Sequence, residues 1–193
     1  MTDCHPLNLQ EMKSLSIILA LSLCGLSASA QVVGARLQAS GLTCAMCARS
    51  VYKNLESLSF VDSVDTDLEQ SAFVLTFKDG STVDADQIRK RVEDAGFSVA
   101  GLELRAKLPS GIRGNDGHLT LSGRTYHILT GSGPGIEGEA SLRVVDKSFL
   151  PSKEERKYAG MSTAACFRTG HSGGKCCEAS GIPSGQRVYH LSL

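Results

Sequence analysis

Residues 33–58 read VGARLQASGLTCAMCARSVYKNLESL, and their apolar spacing changes halfway through. Val33, Ala35, Leu37 and Ala39 alternate with Gly34, Arg36, Gln38 and Ser40, the period of a half-buried strand. After a loop at Gly41 to Cys44, the residues Cys47, Val51, Leu55 and Leu58 recur at i, i+4, i+8 and i+11, one face of a helix. A strand therefore turns into a helix across Cys44-Ala45-Met46-Cys47.

Working outward, Phe60 to Thr66 and Ser71 to Phe77 read as two further strands, followed by a turn at Lys78-Asp79-Gly80. A second helix is marked by Asp84 as cap, Gln87 three residues on, and Ile88, Val92 and Ala95 on one face. Gly96 is placed to stop it, and Ser98 to Leu104 forms a fourth strand. Strand, helix, strand, strand, helix, strand is the α+β, ferredoxin-like βαββαβ arrangement, expected over residues 31–105.

Beyond it, Pro109 and several glycines make residues 106–117 an expected linker. Residues 118–193 are expected to form a small β-rich C-terminal domain. Its strands are placed at Leu119 to Leu121, Thr125 to Leu129, Ala140 to Val145 and Arg187 to Leu193. Ser122-Gly123 suits a hairpin turn, and Pro151 opens a short helix running to Tyr158.

Upstream, Lys13, the apolar run Leu15 to Leu26 and Ala28-Ser29-Ala30 compose a secretory signal peptide ending at residue 30, with residues 1–11 as an upstream start. The run is too short to span a bilayer, so the chain is not expected to be membrane-spanning. Leu23 before Cys24 departs from a lipoprotein box, so no lipid anchor is expected there. The expected compartment is the bacterial periplasm. Cleavage leaves 19 basic and 18 acidic residues, a balance that argues against nucleic-acid binding. No nucleophile elbow, zincin helix or paired-carboxylate pattern is present, and the chain is not expected to be an enzyme.

Five cysteines follow residue 30: Cys44, Cys47, Cys166, Cys176 and Cys177. Cys44 in the loop and Cys47 on the first helical turn can converge on one point. The positive end of the helix favours their thiolates, the form that binds metal. Two thiolates suit an ion that accepts low coordination, Cu(I) or Hg(II); Zn(II) wants four ligands.

Gly41-Leu42-Thr43-Cys44-Ala45-Met46-Cys47 resembles the heavy-metal-associated domain family, whose core pattern is Gly-Met-Thr-Cys-x-x-Cys on a βαββαβ fold. The resemblance runs from Val33 to Leu104 and includes Glu93-Asp94-Ala95-Gly96-Phe97. It implies a soft metal ion at Cys44 and Cys47, Cu(I) foremost with Hg(II) or Zn(II) as alternatives, passed by ligand exchange to a metal-transporting or metal-accepting protein. The layout is most similar to exported mercury-binding and copper-binding proteins. Leu42 stands where the family usually has Met, a swap of similar volume. Phe97 stands where soluble copper chaperones tend to carry Lys, which moves the resemblance toward transporter-type and mercury-type domains.

The same cysteine pair admits a different function, a periplasmic thiol–disulfide oxidoreductase, or a structural bridge. Thioredoxin-like sites usually carry Trp before and Pro inside the motif; Thr43 and Ala45-Met46 stand here. A second thiol site is expected at Cys166, Cys176 and Cys177 with His171 between them. It reads first as a disulfide from Cys166 to Cys176 or Cys177, and otherwise as an accessory soft-metal site. His118, His127 and His190 fall on strands and read as solvated or backbone-satisfied.

Overall fold

The structure, a computed structural model, describes residues 30–112, 117–130 and 136–193. The expected signal peptide up to residue 29, residues 113–116 of the expected linker and the glycine-rich residues 131–135 lie outside the described residues. Among the described residues, no helix is long and apolar enough to cross a membrane.

The N-terminal elements are β1 (Gln31–Ser40), α1 (Ala45–Glu56), β2 (Val61–Asp67), β3 (Ala72–Phe77), α2 (Ala85–Asp94) and β4 (Ser98–Ile112). Their strands run antiparallel in the order β2-β3-β1-β4, the ferredoxin-like arrangement. They are followed by β5 (Gly117–Leu121), β6 (Arg124–Thr130), β7 (Ile136–Val144), α3 (Ser152–Met161), α4 (Ala165–Thr169), α5 (Lys175–Ala179) and β8 (Val188–Ser192). Among the described residues, these eight strands share one sheet, ordered β2-β3-β1-β4-β7-β8-β6-β5, with β6 and β8 parallel.

This corrects the expected linker at 106–117. β4 does not stop near Leu104 but runs on to Ile112. Its edge, free in an isolated βαββαβ unit, is taken by β7 from Glu103↔Arg143 to Leu108↔Gly138 and again at Ile112↔Ile136. The ladder is irregular between Leu108 and Ile112, the stretch that holds Pro109, so the missing proline N–H falls where pairing is already interrupted. Both halves also share one core: Leu104, Ala106 and Leu108 of β4 belong to the same buried cluster as Leu142, Phe149, Tyr189 and Leu191.

Within β1, a register shift between Val32 and Gly34 puts Val32 and Ala35 on the buried face and leaves Val33 half-buried. A Cβ on Gly34 would meet the Leu75 carbonyl oxygen of β3 at 2.6 Å and the Arg105 guanidinium at the same distance. Arg105 could swing away, but the β3 backbone is held in its ladder. Gly34→Ala is expected to cost about 1–3 kcal/mol in urea unfolding, as overpacking does. A loss below a few tenths would show that β1 and β3 can part here without penalty.

The second helix follows its sequence signals closely. The Asp84 carboxylate accepts from the Asp86 and Gln87 N–H groups at 3.0 and 3.2 Å, capping α2. Gly96 has φ of 87°, and the Phe97 N–H returns to the Val92 carbonyl at 3.1 Å, closing the C-terminus. The cap also joins the two halves: the Tyr189 hydroxyl donates to Asp84 at 2.9 Å, and Arg124 pairs with its other oxygen. Asp86 pairs with Arg187 at 2.8 Å. Burial raises the Asp86 carboxyl pKa, but the hydrogen bond and charge of Arg187 outweigh it and hold it below its ordinary 3.8.

A depressed folded-state carboxyl stabilises the fold above the unfolded pKa, and that contribution is lost as pH falls through the folded value. Stability should therefore decline below about pH 4 as Asp86 protonates. Asp86→Asn should flatten that part of the acid-unfolding curve while leaving its neutral-pH shape alone. An unchanged acid limb in the variant would mean that other carboxylates govern it.

Candidate functional site

Cys44 is the N-cap of α1, with extended backbone (φ −150°, ψ 158°), and its Sγ accepts the Cys47 N–H at 3.2 Å. A thiol thus takes the place of the usual Ser or Asp cap. Gly41 turns the chain into this loop with φ of 86°, next to the Phe97 ring. Leu42 packs against the main core, which anchors the loop from beneath. The buried stripe of α1 is Ala48, Val51 and Leu55, with Leu58 just past the helix end. Cys47 sits at the margin of that stripe and is half-buried, so its sulfur is available from outside.

Electrostatics favour thiolate at Cys44. Interaction with the Cys47 thiol, then with the Cys47 N–H, lowers its pKa below the usual 9.0. No acidic residue occupies the first turn of α1, so the positive helix end is not offset there. A cleft of about 230 Å³ opens beside the cysteine, walled by Thr43, Thr66 and Leu68 and floored by Ala72 and Phe73. On the other side, Met46 is 72% exposed and, with Tyr52 and Leu68, forms an apolar rim.

The second thiol group behaves differently from expectation. The expected disulfide is absent, and all five cysteines after residue 30 are free thiols. Cys166 Sγ lies 3.9 Å from Cys176 Sγ, which lies 3.8 Å from Cys177 Sγ, both far beyond an S–S bond. His171 is not among the groups whose ligand atoms converge here. Its ring Nδ1 is 3.0 Å from the Thr169 carbonyl, and its backbone bridges to Arg187.

Three histidines read as solvated or backbone-satisfied come to this group instead. His118 Nε2 is 3.6 Å from Cys177 Sγ, while His127 Nδ1 and His190 Nε2 stand 3.5 and 3.4 Å from Cys166 Sγ. Cys166, His127 and His190 are fully buried. Asp146, also buried, accepts the His190 N–H at 2.6 Å and pairs with its Nδ1 at 3.0 Å. Burial first, and the neighbouring Cys177 thiol next, push the Cys166 thiol pKa up. The sequence carried one signal of this: Tyr126-His127 and Tyr189-His190 repeat the same dipeptide, and the two pairs lie side by side in the parallel β6–β8 register.

Comparison with known proteins reaches only the N-terminal unit. Residues 36–98 match the family model of the heavy-metal-associated domain, a span from β1 to the first residue of β4 that contains Cys44 and Cys47. No curated protein matches the chain. Similar solved structures include a CopZ metallochaperone, 27% identical, covering 35% of this chain and 98% of that one with a TM-score of 0.32. Another is the yeast copper transporter domain Ccc2a, studied in apo and Cu(I)-loaded states, 28% identical, covering 35% of this chain and 90% of that one, also at 0.32. Over residues 36–98, about a third of its length, the chain is similar to the heavy-metal-associated domain family.

Proposed function

We propose that this protein is an exported carrier of a soft metal ion, Cu(I) in the first place, captured between Cys44 and Cys47 and passed to a thiol-bearing acceptor. The observation that carries the reading is the exposed Cys44 thiol serving as the cap of α1, its pKa lowered by Cys47. Two thiolates at a loop and a first helical turn satisfy a two-coordinate ion and leave its remaining sides open.

Transfer then needs no redox step. An incoming acceptor thiolate adds to the Cu(I), one of the two protein sulfurs leaves and takes up a proton, and a second exchange completes the hand-over. The apolar rim of Met46, Tyr52 and Leu68 offers the acceptor a surface beside the metal. Export is read from the sequence of residues 1–30 alone, and on that reading the acceptor is an exported protein too. Hg(II) would fit the same two sulfurs.

The rival oxidoreductase reading uses the same residues, and one pair of assays separates them. Reduced protein loaded with Cu(I) should release one equivalent within seconds to a chromophoric Cu(I) chelator. It should leave insulin unreduced at catalytic concentrations of protein. Turnover of insulin without rapid Cu(I) release would reverse the assignment.

A further inference from the structure

β8 shows two faces. Tyr189 and Leu191 belong to the main core, and the Tyr189 hydroxyl meets the α2 cap. Val188 and His190 point to the opposite face, where Val188 packs with Cys166 and Cys177. On that side β5, α4 and α5 bring Cys166, Cys176, Cys177 and His118 together, with all four ligand atoms within 4.8 Å of one another.

Their spacing matches a coordination tetrahedron along three of its six edges. Zn–S bonds of about 2.3 Å and Zn–N bonds of about 2.05 Å at the tetrahedral angle separate two sulfurs by about 3.8 Å and a sulfur from a nitrogen by about 3.6 Å. The distances from donor to donor are 3.9 Å (Cys166–Cys176), 3.8 Å (Cys176–Cys177) and 3.6 Å (Cys177–His118 Nε2), and the remaining separations lie within 4.8 Å. The orienting contact is present too: Ser180 Oγ is 3.2 Å from His118 Nδ1, the ring atom turned away from the sulfurs.

We infer that Cys166, Cys176, Cys177 and His118 form a second metal centre that binds one Zn2+ in a closed Cys3His shell, separate from the Cys44–Cys47 pair. Binding releases the thiol protons and involves no change of oxidation state. His127 and His190 share the Cys166 sulfur but supply only two more donors, so the four-donor set is the one that fills a zinc shell. They brace the shared sulfur from the sheet side, His190 being fixed by Asp146. Cys166, His190 and Asp146 also line up as nucleophile, base and orienter. With Cys166 fully buried, however, no substrate atom can reach that sulfur.

The test uses the full chain carrying Cys44→Ser and Cys47→Ser, so that failure of the first site cannot be confused with failure of this one. Reduced protein is incubated with Zn2+, dialysed and analysed for metal. One Zn2+ per chain is expected, and replacement by Co2+ should give the intense visible bands of a tetrahedral ion with thiolate-to-metal charge transfer. Adding Cys176→Ser and Cys177→Ser should abolish both signals. If that variant fails to fold, X-ray absorption of the Zn2+ form still decides the matter by finding three sulfurs and one nitrogen. A chain without bound Zn2+, two ions per chain, a Co2+ spectrum lacking charge transfer, or a disulfide among the three cysteines under thiol-preserving conditions overturns the assignment.

Discussion

Cys44→Ser together with Cys47→Ser should remove the rapidly exchanging equivalent of Cu(I) and leave the fold standing. A complete four-ligand thiolate or imidazole site is worth roughly 10–16 kcal/mol, so each soft ligand contributes about 3 kcal/mol, or about a hundredfold in affinity. Losing both sulfurs should weaken binding by about ten thousandfold or more on the same scale. Stability should change little, because Cys44 is exposed, Cys47 is half-buried, and the anchoring contacts come from Leu42, Ala48, Val51 and Leu55. Serine can also accept the Cys47-position N–H that the Cys44 sulfur accepts now, which keeps the cap. Chelator competition in stopped flow reads the binding, and thermal unfolding reads the fold. A variant that still delivers Cu(I) at the wild-type rate would place the carrier site elsewhere.

The largest expected loss of stability lies on the other face of the sheet. Asp146→Ala takes a 96%-buried carboxylate away from the His190 backbone N–H, the His190 ring and the Arg187 guanidinium. Removing one partner of a buried charged network typically costs about 3–5 kcal/mol, because the remaining groups stay buried without their acceptor. For a chain of this length that lowers Tm by roughly 6–20 °C. Asp146→Asn keeps one acceptor oxygen and should cost less than the alanine. A loss below about 1 kcal/mol for the alanine variant would mean that water takes the place of the carboxylate, and that the site is more open than its packing indicates.

The N-terminal unit was legible because its signals are local. The change of apolar period at Cys44, the Asp84 cap and the Gly96 stop each lie within one or two turns of the residues they govern. Two details escaped even there. The bulge at Val33 turned that residue off the buried face, and Ala48, three residues before Val51, takes the inward position assigned to Cys47. In the C-terminal half, strands and the Ser122-Gly123 turn could be placed, but not their neighbours. Pairing of β6 with β8 spans about sixty residues, and nothing near Pro109 announces that β7 will continue the sheet past it.

The thiol clusters divide the same way. Cys44 and Cys47 are three residues apart, so spacing alone joins them. His118, His127, Asp146, Cys166, Cys176, Cys177 and His190 meet only because the parallel β6–β8 pair and two five-residue helices bring them together. Spacing favoured His171, which lies between the cysteines in sequence but turns its ring to the Thr169 carbonyl.

β4 is hydrogen-bonded along both edges, to β1 on one side and β7 on the other. Its successive amide protons point alternately to β1 and to β7, so exchange along the whole stretch requires both partners to let go. The amides of Leu102 to Leu108 should be among the slowest in the chain, exchanging at the rate set by global opening. Calorimetry should show one heat-absorption peak whose van't Hoff and calorimetric enthalpies agree, instead of two peaks for two domains. A metal bound on either side of this strand would then raise the melting temperature of the whole molecule, since nothing short of complete unfolding would release the other half.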